Sequence, residues 1–177
     1  MATTAEVLAD ALKEAGTPFI VGHPGGESVE LMKAARLRDI DSYPDWFPDT
    51  VEARSVGREN GAWANYVRTS APWPVKDRDA IYVSQLQRLP DRLSISVEAD
   101  PDLLPETSDA VRIEKASGRW ELEAVAEGTR ITWQFHVDPG GNVPSGLANA
   151  RVLSTPREAL LALRAHFRQR EELSAGR

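Results

Sequence analysis

From Val51 to Val137 apolar and polar residues alternate with a period of two, stretch after stretch, which confines the middle of the chain to half-buried β-strands. The clearest stretch places Leu93, Ile95, Val97 and Ala99 between Arg92, Ser94, Ser96 and Glu98. Val51–Val56 and Trp63–Thr69 read as strands joined by a turn at Glu59-Asn60-Gly61. Further strands are expected at Ala80–Leu86, around Val111 and Ile113, over Trp120–Ala124 and over Ile131–Val137. Short links between most of them favour an antiparallel meander.

The ends of the chain follow a helical period. Thr3 and Glu6 fit a capping box ahead of the apolar stripe Val7, Leu8, Ala11, Leu12 and Ala15, and Gly16 suits the stop. A short strand at Thr17–Val21, a turn at Gly22–Gly26 and a second helix over Ser28–Arg36 are expected next. Near Asp41–Asp49, Tyr43, Trp46 and Phe47 lie close together. At the far end Thr155, Pro156 and Glu158 read as the cap, first turn and box partner of a last helix, whose Leu160, Leu163 and Phe167 share one face. A sheet with one apolar face needs a cover, and this helix supplies it. Sheet and helix together enclose a cavity suited to an apolar ligand.

Composition removes several function classes. The chain has no cysteine, so disulfides, thiolate catalysis and cysteine-bound zinc are excluded, in keeping with a reducing cytoplasm. A net charge of −6 without a basic run argues against nucleic acid. No apolar run approaches the ~20 residues that span a bilayer. His23 and His166 are isolated, and no metal-ligand spacing occurs.

Three stretches carry a family resemblance: Asp39-Ile-Asp-Ser-Tyr-Pro-Asp-Trp46, Ala71-Pro-Trp-Pro-Val-Lys-Asp-Arg-Asp79, and Trp133-Gln-Phe-His-Val-Asp-Pro-Gly-Gly-Asn-Val-Pro144. In this order, with strands between them, residues 37–170 resemble the steroidogenic-acute-regulatory-related lipid-transfer (START) domain. The resemblance implies an α+β helix-grip fold, a curved antiparallel sheet packed on a long C-terminal helix around a lipid tunnel. It implies binding or transfer of a lipid without catalysis, and contact with membranes. The family often has a bulky aromatic shortly after the Val-Pro pair, where this chain reads Ser145-Gly146-Leu147.

Residues 1–35 instead resemble the first helix, strand and Gly-x-Pro-Gly-Gly turn of thiamine-diphosphate enzymes of the acetolactate-synthase type. The expected organisation is thus a helix–strand–helix segment over residues 1–36 replacing the usual first strands, then a START-like domain over residues 37–177. Thr17–Val21 is expected to dock beside Ile131–Val137, leaving an open sheet edge that admits dimerisation. The Gly-Asp-Gly…Asn motif that binds the diphosphate is absent, and Glu27 does not match the activating glutamate, so no cofactor is expected.

The expected ligand-facing residues are Trp63, Leu93, Ile95, Val97, Trp133 and Phe135 on strands, with Leu160, Leu163 and Phe167 on the last helix. Arg112 is the expected head-group partner if buried. Asp77, Arg78 and Asp79 read as strand-edge ion pairs, with head-group contact as the alternative. Trp73, between two prolines, reads as a packed anchor. Entry is expected by opening of the loops near Asp100–Glu106 or Asp138–Ala148, or by a tilt of the last helix. His136 should point away from the apolar face. One alternative is a polyketide-cyclase-type enzyme using His136, Tyr66, Tyr82 and Arg112; another is a hybrid without evolved activity.

Overall fold

The computed structural model describes residues 37–59, 61–126, 128–141, 143, 146, 151 and 154–166. The expectations for residues 1–36 and for Phe167 lie outside the described residues.

A 3-10 turn, Ile40–Ser42, leads into a short helix α1, Tyr43–Trp46. Seven strands follow: β1 Thr50–Glu59, β2 Ala62–Thr69, β3 Asp77–Arg88, β4 Arg92–Ala99, β5 Ala110–Arg112, β6 Lys115–Val125 and β7 Gly128–Asp138. Residues 154–166 form the closing helix α2. The period-two stretches thus become strands, and the β1–β2 turn places Gly61 at φ 82°, a left-handed conformation that glycine adopts without a Cβ clash. Thr155 does not cap α2, because Ser154 and Arg151 are already helical.

The sheet runs β1-β2-β3-β4-β6-β7, each neighbour antiparallel. β5 departs from the expected meander by pairing parallel to β3. The cause is the register of β4, which pairs with Tyr82–Arg88 and leaves Asp77–Asp79 open for Ala110–Arg112. Register shifts at Thr50/Glu52 and Ser55/Gly57 bend β1.

The main core lies between the sheet and α2. Leu163, 2% exposed, packs with Trp46, Trp120 and Leu122, and Ala159 is buried one turn earlier. Full burial of a side chain like Leu163 contributes about 1.5–3 kcal/mol. Tyr43 donates its hydroxyl to the Leu37 carbonyl at 2.8 Å and stacks on Phe47 at 5.5 Å, so α1 joins the core as an aromatic plug.

A second buried layer lies behind the sheet. Arg112 Nε and Nη2 donate to Asp79 Oδ1 and Oδ2 at 3.2 and 2.9 Å. Its remaining N–H groups reach the carbonyls of Pro101, Leu104 and Pro105 at 2.8, 2.9 and 3.1 Å. The pair therefore clamps the 101–105 loop over this face.

Candidate ligand cavity

A cavity of about 550 Å³ opens between the sheet, α1 and the start of α2. The cross-strand register explains its wall, because directly paired residues present side chains on one face. One row reads Trp63, Ser84, Val97, Gly118, Phe135 and the next Leu86, Ile95, Trp120, Trp133. Trp120 and Trp133 stack at 4.9 Å, Phe135 stacks on Trp133 at 5.7 Å, and Phe47 meets Trp133 edge-on at 5.7 Å. Gly118 is where the first row dips. A Cβ there would meet Phe135 Cδ2 at 2.5 Å and crowd the Gln134 carbonyl, so only glycine lets the Phe135 ring lie over β6.

Trp63, Ile95, Val97, Trp133 and Phe135 line this space, as the alternation placed them. Leu93 and Leu163 instead sit in the packed core, with Leu160 against it; none of the three reaches the cavity wall. Periodicity separates faces but cannot separate core from lining on the same face. Arg112 is buried as required of a head-group partner but faces away from the cavity. All five of its N–H donors are engaged, so none is left for a ligand.

The triplet Asp77-Arg78-Asp79 is split by the pleat. Asp77 accepts from Arg68 at 2.9 Å and Asp79 from Arg112, while Arg78 between them lines the cavity. Further lining polar groups escaped the sequence reading. They are Thr50, Asn65, Thr69 and Ser84, which occupy inward positions among apolar residues. With its amide turned to the orientation that satisfies both ends, Asn65 donates to the Ala64 carbonyl and accepts from Trp63 Nε1, both at 3.1 Å. Tyr82 also lines the cavity, and burial raises its hydroxyl pKa above the usual tyrosine range.

The mouth is bordered by Ser70–Pro72 and Val75, by Pro139 and Val143, and by Arg151, Thr155 and Pro156. Of the two expected entry segments, the described part of Asp138–Ala148 is here, whereas Asp100–Glu106 lies behind the sheet with Arg112. Trp73 is not the expected packed anchor but stands 92% exposed on the loop beside the mouth. His136 is exposed at the rim, next to the half-exposed Phe135 and Val137. Among the described residues no cluster of metal-binding side chains occurs, and no helix is long and apolar enough to cross a membrane.

A curved antiparallel sheet gripping a terminal helix around one mostly apolar cavity defines a helix-grip protein. The chain belongs to the polyketide cyclase / dehydrase and lipid transport family, which it matches over residues 34–168. A crystallised fragment of the STAR-related lipid transfer protein from Xanthomonas axonopodis is 38% identical, with a TM-score of 0.71 over 77% of this chain and 78% of that one. Human STARD10 shares the fold at 19% identity and a TM-score of 0.66, covering 81% of this chain and 61% of its own. An uncharacterised protein of Pseudomonas aeruginosa is 31% identical over 138 residues, 77% of this chain and 68% of that protein. The START-like reading of the main domain is therefore shown. The thiamine-enzyme resemblance of the first 35 residues finds no support in these relatives.

Proposed function

We propose that the chain binds one lipid or other apolar molecule in this cavity and releases it unchanged. The observation that carries this reading is the aromatic wall formed by Trp63, Trp120, Trp133 and Phe135 around about 550 Å³ of space. Burial drives uptake, at ~0.8 kcal/mol per CH₂. A tail of about fourteen carbons has a gross driving force of about 11 kcal/mol, reduced by ordering costs.

The polar side chains speak for carriage over catalysis. Of the four candidates for acid–base work, Tyr82 stands on the cavity wall and His136 at the rim, while Tyr66 and Arg112 lie outside the lining. A cyclase needs such groups to converge on one bound substrate. The similarity to a protein named as a lipid transfer protein points the same way. Loading from a membrane fits the exposed Trp73 beside the mouth, since tryptophan favours the bilayer interface.

Native mass spectrometry before and after incubation with a mixed lipid extract tests the reading. One bound molecule per chain, released intact, is expected. A clean apo mass in both samples, with cooperative unfolding intact, would refute it.

A further inference from the structure

The mouth end of the cavity has a polar row of its own. Thr50 pairs with Thr69, and Thr69 with Arg78, so these three side chains stand abreast across β1, β2 and β3. All three line the cavity.

Arg78 is only 8% exposed. Its Nε donates to the Pro139 carbonyl at 3.2 Å, Nη2 to the Gly140 carbonyl at 3.1 Å, and Nη1 to the Lys76 carbonyl. Three of the five guanidinium donors are thus used, all on neutral acceptors, and one N–H on each Nη remains. Among the described residues no ion pair involves Arg78. Arg112 is the control within the same molecule, being equally buried but matched by a carboxylate and saturated with acceptors. A buried cation without a counter-ion is costly, and carbonyl dipoles offset only part of that cost.

Two further observations point the same way. Thr50 Oγ1 is buried beside this row without any hydrogen-bond partner. Among the described residues the other charged side chains lining the cavity are Asp49 and Arg151, which pair with each other at 2.9 Å. Arg78 therefore leaves this end with one uncompensated positive charge, a planar pair of free N–H groups and a spare hydroxyl.

We propose that this end seats the carboxylate of a single-chain amphipath, its tail running along the aromatic wall. A monoanionic planar carboxylate matches the two free N–H groups of one guanidinium, as a bidentate acceptor. A phosphate monoester carries more charge and more acceptors than the row can meet. The polarity of the wall fixes the orientation, with the head at Arg78 and the tail toward Trp120 and Trp133. The six residue steps from Arg78 to Ser84 span about 20 Å of β3, enough to separate the two ends.

This inference rests on the lipid-binding reading, and the probes keep the two apart. Calorimetric titrations of the full chain with tetradecanoate, tetradecanol, methyl tetradecanoate and tetradecyl phosphate are compared. Tetradecanoate is expected to bind about tenfold more tightly than the alcohol or the ester. Arg78→Gln should erase that preference, bringing the affinity for the acid down to that for the alcohol measured on the same variant, and Thr50→Val should narrow it several-fold. If Arg78→Gln fails to fold, the wild-type preference and Thr50→Val decide. Equal affinities for acid and alcohol would overturn the head-group site and leave the apolar cavity standing. Tighter binding of tetradecyl phosphate would overturn the carboxylate assignment. Binding of none of the four would overturn the lipid reading itself.

Discussion

Arg112 offers the sharpest test of which arginine serves the ligand and which the fold. Arg112→Met removes two bonds to Asp79 and three to the carbonyls of the 101–105 loop. It also strands a carboxylate whose side chain is 1% exposed. Breaking one side of a buried ion pair costs about 3–5 kcal/mol. That is a large share of the 5–15 kcal/mol that holds a typical domain together, so the variant should be folded but fragile at about 25 °C. With a slope of ~2 kcal/mol/M, the urea midpoint should fall by about 2 M, as read by tryptophan fluorescence. The double variant Asp79→Leu/Arg112→Met carries no stranded charge and should recover most of the loss. Tetradecanoate binding in the double variant should equal that of wild type, because neither residue lines the cavity. A cost under about 1 kcal/mol for Arg112→Met would refute the clamp. A folded double variant that no longer binds would restore Arg112 as the head-group partner.

Val97→Trp should fill the cavity from its floor and abolish the ligand adduct in native mass spectrometry while the chain still unfolds cooperatively; a persisting adduct at one per chain would place the ligand elsewhere. Gly118→Val should force Phe135 off β6 and destabilise the fold by about 1–3 kcal/mol, seen as a lowered urea midpoint; an unchanged midpoint would show that the ring does not need that gap. Each of the three tyrosines, Tyr43, Tyr66 and Tyr82, has its pKa raised above 10.0, chiefly by burial, which disfavours the phenolate. The unfolded chain then ionises first, so this contribution to stability is whole below pH 10.0 and is lost as pH rises beyond it toward the folded values. Near-ultraviolet titration of the folded protein should show the Tyr43 and Tyr82 phenolates only well above pH 10.0, and a curve like that of free tyrosine would refute the burial.

Strand positions were legible because a half-buried sheet imposes period two on its sequence, and Leu93–Ala99 shows it plainly. The parallel pairing of β5 was not legible. It depends on β4 leaving Asp77–Asp79 unpaired, a register decided by contacts far apart in sequence. Trp73 misled because an aromatic between prolines reads as packed, whereas its loop projects from the mouth. On the site, the strand residues were legible as one face, but Leu93 as core and Ile95 as lining differ only in how the helix lies across them. The inward polar residues carried a usable signal: Asn65 between Trp63 and Val67, and Ser84 two residues after Tyr82, are polar side chains on an otherwise apolar face.

Asp77, Arg78 and Asp79 show how one strand serves binding and stability without conflict. The pleat sends residues 77 and 79 to the back of the sheet, where Arg68 and Arg112 neutralise them, and residue 78 to the front. Stability therefore sits behind the sheet in the Asp79–Arg112 clamp and, at the far end of the strands, in the Leu122–Leu163 core. The proposed head-group row of Thr50, Thr69 and Arg78 sits in front. Substitutions at Thr50 and Thr69 remove no buried counter-charge, whereas substitution of Arg78 also releases the Lys76, Pro139 and Gly140 carbonyls that its guanidinium holds. Substitutions one residue along the strand strand a charge and are felt by the whole domain. The same separation accounts for the polarity of the cavity. The guanidinium of Arg78 stands at the mouth, while the packed core around Leu122 lies at the other end of the sheet.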